Sequence, residues 1–171
     1  IQEKEKLSNG FTLGNGLEIQ KGNYIDRKIS FSARTNQSRG VWGNFAFSKG
    51  DYFGGNKTSW SGSIGKQFSN HLTLYGSANQ NIIFMSNQGE FTANVYGFTA
   101  EVALNRKWFG KALIQYDNFS NQLQLYCRIN WIHTPGSDLF IVLNQRYDMS
   151  GGTKKLFQNT QVVKLTYLVQ I

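Results

Sequence analysis

Hydrophobic and polar residues alternate along most of this chain with a period of two, the spacing of a strand that has one apolar and one polar face. Residues 122–133 show the alternation most clearly, and windows with helical spacing are almost absent. One phase of this segment is apolar and consists of Leu123, Leu125, Cys127, Ile129 and Trp131. The other phase is polar and consists of Gln122, Gln124, Tyr126, Arg128 and Asn130. The pattern predicts an all-β protein.

Ten such segments are separated by short stretches rich in Gly, Asn and Ser, which are typical turn residues. The predicted strands are 11–20, 24–33, 41–53, 58–68, 72–84, 93–104, 110–117, 122–133, 139–148 and 161–171. A membrane-spanning strand tilted by about 45° needs roughly 9–11 residues, and these segments have about that length. We therefore predict an antiparallel, up-and-down transmembrane β-barrel of about ten strands, or the C-terminal part of a larger barrel. A soluble β-sandwich or a lipocalin-like barrel is the alternative.

The final segment has apolar residues at every second position back from the C-terminus. These residues are Val163, Leu165, Tyr167, Val169 and Ile171. Such a strand resembles the signal that the barrel-assembly machinery recognises in outer-membrane proteins, although the last residue is Ile rather than the usual Phe or Trp. Residues 1–10 lack this alternation and are predicted to be a periplasmic tail or the remnant of an upstream segment. The barrel domain is predicted to span residues 11–171.

Composition narrows the class of protein further. Only 16 % of the residues are charged, below the roughly 25 % of typical soluble domains. The 18 Lys and Arg outnumber the 10 Asp and Glu, but they are scattered singly, so no nucleic-acid partner is predicted. A lone cysteine, Cys127, rules out an internal disulfide. The first eight residues have neither the basic nor the apolar region of an export signal, which suggests a processed chain or a piece.

A group of polar side chains on the second half of the chain is the candidate functional site. It consists of Gln115, Asp117, Gln124, Arg128, Asn130, Asn144, Arg146 and Asp148. All eight lie on the polar phase of three neighbouring strands, so they are expected to project to one side and to line the lumen. One hypothesis makes them a selectivity or binding patch for anionic or hydroxyl-rich solutes. The other, which the polar interior of any barrel favours, is a wall in which the two aspartates neutralise the arginines across strands.

Catalysis has little support in the sequence. His71 and His133 each lie at a predicted turn or strand end, and no spacing typical of metal ligands occurs. Cys127 falls on the apolar phase, where a structural thiol is expected. We predict no enzymatic activity, no catalytic residues, no cofactor and no metal.

The region 115–148 resembles a known bacterial family. The residues that carry the resemblance are Gln115-Tyr116-Asp117-Asn118, Gln122-Leu123, Arg128, Trp131, Pro135-Gly136-Ser137-Asp138-Leu139-Phe140-Ile141-Val142 and Asn144. They are similar to the C-terminal outer-membrane barrel of the uncharacterised family catalogued as domain of unknown function 5916. Members often carry an N-terminal carbohydrate-binding module like those of family 9, which these residues do not include. The resemblance implies that these residues are the C-terminal part of a larger protein, and it implies a sugar-related solute if such a module belongs with them.

The expected role is that of an outer-membrane β-barrel in a Gram-negative cell envelope, porin-like, passing or binding a small or oligomeric solute. The alternative is a structural or interaction protein, a filled barrel that anchors or docks a partner in an envelope complex. The expected partners are outer-membrane lipid and lipopolysaccharide, the barrel-assembly machinery and other envelope proteins.

Overall fold

A computed structural model describes residues 2–13, 16–86 and 88–168 of the chain, which form two sheets. The large sheet has ten strands, in the order β1, β4, β5, β6, β7, β8, β9, β10, β11, β12, and the small one pairs β2 with β3. The strands are β1 Gln2–Leu7, β2 Phe11–Thr12, β3 Glu18–Ile19, β4 Gly22–Arg34, β5 Val41–Tyr52, β6 Gly55–Ser69, β7 Leu72–Met85, β8 Gly89–Ala103, β9 Trp108–Asp117, β10 Gln122–Thr134, β11 Ser137–Asp148 and β12 Lys155–Thr166.

From β4 to β12 each strand pairs with the next one along the chain, and every pairing is antiparallel. The predicted all-β, antiparallel, up-and-down sheet of about ten strands is therefore confirmed. In the described part of the chain, β1 and β12 are the two edges of this sheet and do not pair with each other. All twelve residues of β12 are exposed, and no strand of the described residues lies beside its outer row of backbone groups.

Residues 11–20 do not form the long strand that the alternation predicted. They fold into a small hairpin of β2 and β3, in which Leu13 N–H donates to Leu17 C=O over 2.7 Å. Gly16 has a positive φ of 79°, a conformation that reverses the chain and that glycine adopts without strain. Gly16 marks a turn in this segment, and this turn signal overrides the alternation of the flanking apolar residues.

A strand lies instead within the segment predicted to be a tail. β1 pairs with the first half of β4, from Gln2 opposite Arg27 to Leu7 opposite Gly22. Apolar alternation did not predict this strand, because four of its six residues are charged. Charged side chains are common on edge strands because they oppose further pairing. Glu3 forms a salt bridge of 2.7 Å with Lys28 on β4. The division into a tail and a barrel domain stays a prediction.

The pairing register divides the side chains of the large sheet into two sets, because directly paired residues point to the same face. We call these the apolar face and the polar face. Large exposed hydrophobic side chains lie across the apolar face from β4 to β12. They include Ile29, Phe31, Phe45, Ile64, Phe98, Ile114, Ile129, Ile141, Val163 and Leu165.

The sheet leaves an unusually large surface uncovered for its mass. The chain exposes 11960 Å², whereas a compact globular monomer of the same size exposes roughly 8,500 Å². The buried hydrophobic core of the described residues is only Leu17, Ile19, Ile83, Met85 and Phe91. Neither face of the large sheet is therefore covered over most of its extent by another layer of the described chain.

The C-terminal segment differs from the predicted strand in its bounds. β12 starts earlier and ends at Thr166, so Tyr167 lies beyond the strand. Val163 and Leu165 pair with Ile141 and Leu139 on the apolar face, in the predicted phase. Val169 and Ile171 lie outside the described residues. A role of this segment in assembly stays a prediction.

Candidate functional site

The eight residues of the predicted patch lie on one face of three neighbouring strands. In β9, β10 and β11 the register pairs Gln124 with both Gln115 and Arg146, and Gln122 with both Asp117 and Asp148. Arg128, Asn130 and Asn144 share this phase. The alternation in the sequence thus located these side chains on the same face, which is the polar face of the sheet.

The two aspartates bond to the turns that follow their strands, and their neutralisation of the arginines stays a prediction. The carboxylate of Asp117 accepts a hydrogen bond from Phe119 N–H at 2.8 Å and one from the Ser120 hydroxyl at 2.9 Å. Asp148 likewise accepts from Ser150 N–H at 2.8 Å. Short polar side chains commonly bond to backbone donors two residues on and so stabilise turns. Both carboxylates are held at the turns that follow β9 and β11.

Arg128 is held by an aromatic ring and an amide. Its guanidinium lies 4.4 Å from the centre of the Phe140 ring, and it donates to the side-chain oxygen of Asn130 over 3.4 Å. A guanidinium over a ring face is stabilised by the ring quadrupole. Asn130 is only 5 % exposed beneath it. This arrangement fixes the direction of one positive charge on the polar face.

One row of polar residues crosses the sheet from β4 to β12. We call it the polar row, and its directly paired residues are Arg34, Asn44, Ser63, Ser77, Gly97, Gln115, Gln124, Arg146 and Gln158. Strands are spaced by about 4.8 Å, so the row extends for roughly 38 Å. Within the row, the Ser63 hydroxyl donates to the side-chain oxygen of Asn44. The Gln124 amide donates to the side-chain oxygen of Asn144, which lies outside the row, over 3.2 Å. Its side chains carry amide, hydroxyl or guanidinium groups and no carboxylate.

A second row runs beside the polar row on the same face. This aromatic row is Trp42, Gly65, Tyr75, Thr99, Leu113, Tyr126, Asn144 and Thr160. The rings of Trp42 and Tyr75 meet edge to face at 5.7 Å across Gly65. A Cβ atom at Gly65 would lie 2.6 Å from the indole, so the glycine makes room for the ring. Trp42 and Tyr75 line a groove of about 770 Å³ together with Arg34, Asn44 and Ser63.

The small hairpin covers one end of the polar face. Leu17 and Ile19, 3 % and 2 % exposed, pack against Ile83, Met85 and Phe91 of β7 and β8. Gln88 ties the hairpin to the turn between those strands. Its side-chain oxygen accepts from Glu18 N–H at 2.5 Å, and its side-chain nitrogen donates to Glu18 C=O at 2.9 Å. The amide of Gln88 bonds to β3 as a neighbouring strand would. We call this the hairpin end of the sheet.

Comparison with protein-family models, with curated proteins and with solved structures finds no match. The resemblance described above therefore stays an expectation. Among the residues that the structure describes, no helix has the length and hydropathy to cross a membrane. Within the same residues there is no group of three or more His, Cys, Asp and Glu side chains that could hold a metal ion.

The two histidines and the cysteine make contacts within the fold. His71 bonds through Nδ1 to Ala103 C=O at 2.6 Å, and the His133 ring contacts Trp131 at 5.1 Å. Cys127 pairs with Ala112 and Leu143 on the apolar face.

Sequence reasoning missed the half of the polar row that lies on β4 to β7. Arg34, Asn44, Ser63 and Ser77 lie on the same phase as the serines around them, and the row becomes visible only when the register is known. The alternation of Ser59, Ser61 and Ser63 was a usable signal, since a run of alternating serines marks a polar strand face.

Proposed function

We propose that this chain forms the wall of an outer-membrane β-barrel, with the apolar face in contact with lipid and the polar face lining an aqueous lumen that binds or passes a small or oligomeric hydrophilic solute. Gram-negative envelope localisation, contact with lipopolysaccharide and insertion by the barrel-assembly machinery are parts of the same proposal. The resemblance to the family catalogued as domain of unknown function 5916 adds a sugar-related solute.

The observation that carries the proposal is the separation of exposed apolar side chains from polar ones by the pairing register. Ile29 is 79 % exposed, Val163 69 % and Leu165 73 %, and all three lie on the apolar face. The largest apolar patch of a typical soluble monomer covers roughly 300–600 Å², whereas large hydrophobic side chains lie on this face from β4 to β12. Lipid is a solvent in which such a face is stable, because outward positions of membrane barrels are apolar while lumen positions are polar.

The open edges bear on how a barrel would close. An unpaired strand has a row of free N–H and C=O groups, which is costly in lipid. The proposal therefore requires a partner for each edge of the sheet. The edge formed by β1 and β4 and the edge formed by β12 must pair either with each other or with further strands. A barrel of ten strands has a narrow interior that side chains largely fill, whereas more strands leave an aqueous channel.

The first test is a heat-modifiability gel on outer-membrane extract, with boiled and unboiled lanes and an intact mass of the shifting band. A compact barrel resists detergent until it is boiled, so the proposal predicts a band that shifts. A mass near 19.4 kDa would indicate a small self-closed barrel, and a much larger mass would make this region part of a wide one. A soluble protein without a shift would contradict the membrane proposal and favour a soluble β-sandwich.

The transport part of the proposal needs its own measurement. The purified protein is reconstituted in liposomes for solute uptake and in planar bilayers for conductance, with empty liposomes as the control. We expect channel events and solute uptake. A membrane-inserted protein that shows neither would favour the anchoring role, which is consistent with the hairpin that covers part of the polar face.

A further inference from the structure

The groove around Trp42 and Tyr75 has the chemistry of a binding site rather than that of a plain polar wall. Its aromatic side chains lie on the aromatic row, and its hydrogen-bonding side chains lie two residues away along each strand, on the polar row. Alternate residues of a strand are about 6.6 Å apart, so the two rows run side by side at that spacing. A ligand lying across the strands would contact both rows at once.

The composition of the polar row limits the class of ligand. A cation site would need carboxylates, and the row has none. A phosphate or sulfate site would need several cationic groups close together, but Arg34 and Arg146 are separated by seven strands, or roughly 34 Å. The residues between them are Ser, Asn, Gln and Gly. Their hydroxyls and amides both donate and accept hydrogen bonds, which matches the same double capacity of ligand hydroxyl groups.

The aromatic row limits the class further. Trp42, Tyr75 and Tyr126 present apolar rings next to the polar side chains, and such rings combine a large contact area with a polar handle. Tyr75 and Tyr126 are three strands apart, which is roughly 14 Å along the row. A ligand that uses both rings must be oligomeric, with apolar patches that recur between hydroxyl groups. Linear oligosaccharides have this pattern, because a sugar ring has C–H faces and hydroxylated edges.

We infer that the polar row and the aromatic row form a binding track for a linear oligosaccharide, with its strongest subsite in the groove that Trp42 and Tyr75 line. This inference rests on the proposed lumen and names its ligand class. Arg34 donates from the edge of the groove to ligand oxygens. Gly65 is a positioning residue, because a side chain there would move the indole of Trp42.

The test is calorimetric titration of the full chain, folded in detergent micelles, with linear hexasaccharides of glucose, xylose, mannose and galactose. We expect at least one of them to bind, and Trp42→Ala to weaken that binding about tenfold, the loss of one good aromatic contact. Tyr126→Ala should weaken binding of the hexasaccharide but not of the matching disaccharide, which is too short to reach from the groove to Tyr126.

Two variants separate the binding site from general folding effects. Trp108→Ala removes an indole of the same size from the apolar face and should leave binding unchanged. Gly65→Ala keeps Trp42 but displaces its ring, and it should weaken binding while the heat-modifiable band is retained.

The inference is overturned if none of the hexasaccharides binds at 10 mM, or if binding survives both Trp42→Ala and Tyr126→Ala. Conductance in bilayers without any saccharide binding would remove this inference and leave the proposed barrel intact. A soluble protein without a heat-modifiable band would remove the proposed function, whatever the titration shows.

Discussion

The two faces of the large sheet are built from the same strands and differ in almost every chemical respect. Neighbouring residues such as Ile141 and Val142 point in opposite directions, one toward Ile129 and Val163 and the other toward Arg128. The apolar face holds large hydrophobic side chains without partners above them. The polar face holds hydrogen-bonded rows and carries the only packed core of the described residues, at its hairpin end. A strand therefore cannot be classified as apolar or polar as a whole, since its two faces carry different side chains.

The largest expected effect comes from placing a charge on each face of one strand. Ile141→Lys puts an ammonium on the apolar face near the middle of β11, and we expect the free energy of unfolding in lipid bilayers to fall by about 2–4 kcal/mol. Val142→Lys puts the same group on the polar face and should cost less than about 1 kcal/mol. Urea titration of both variants in the same lipid measures the difference. Equal losses of unfolding free energy in the two variants would show that the apolar face and the polar face are exposed to the same solvent.

The second effect concerns the hairpin end, where apolar side chains are buried on the polar face. Leu17→Ala leaves a cavity against Ile83 and Phe91, and we expect a loss of about 2–3 kcal/mol in the free energy that holds the hairpin in place. Hydrogen exchange of residues 11–19, followed by mass spectrometry, should rise. Thr12→Ala is the control, because Thr12 is an exposed residue of β2. Unchanged exchange in Leu17→Ala would mean that this core does not hold the hairpin.

A smaller effect is expected at Gln88, whose amide makes both hydrogen bonds to the backbone of Glu18. Gln88→Ala should weaken docking of the hairpin by about 1–2 kcal/mol, because each such bond contributes roughly 0.5–1.5 kcal/mol. Gln88→Glu keeps an acceptor for Glu18 N–H but places a carboxylate oxygen against Glu18 C=O, and this repulsion should make its effect on hydrogen exchange at least as large. If hydrogen exchange of the hairpin in both variants equals that of the unchanged chain, the bonds of Gln88 to Glu18 do not hold the hairpin in place.

The smallest effect is expected for the salt bridge between Glu101 and Lys111 on the polar face, 2.9 Å long and roughly half exposed on both sides. Glu101→Gln should change the free energy of unfolding by less than about 1 kcal/mol, because exposed ion pairs contribute little. Urea titration should give this small difference at low salt and a smaller one at high salt, because salt screens exposed charges. A loss above 2 kcal/mol would indicate that this part of the polar face is shielded from water.

Much of the fold could be predicted because one face of each strand has a consistent chemistry. The alternation in 122–133 and 139–148 set both the strand and the phase of its side chains, and β10 and β11 follow it closely. The same reasoning failed at residues 11–20 and 2–7. In the first segment Gly16 marks a turn between two short strands, and in the second the charged residues of an edge strand have no apolar phase to detect.

The candidate site was predictable only in part. Eight polar residues on β9 to β11 could be placed on one face from their phase alone, but phase does not say which residue of one strand lies beside which residue of the next. The phase also could not predict the turn contacts of Asp117 and Asp148, since these contacts depend on the local path of the chain.

The sequence by itself determined the class of the fold and the two-faced character of its strands, because side chains alternate across a strand whatever it pairs with. Only the tertiary structure decided the register, and with it the polar row, the aromatic row and the position of Trp42 over Gly65. It also decided that Leu17 and Ile19 lie on the polar face, far in sequence from Ile83 and Phe91. Register and long-range packing depend on which backbone groups meet, and alternation within one strand contains no information about its neighbour.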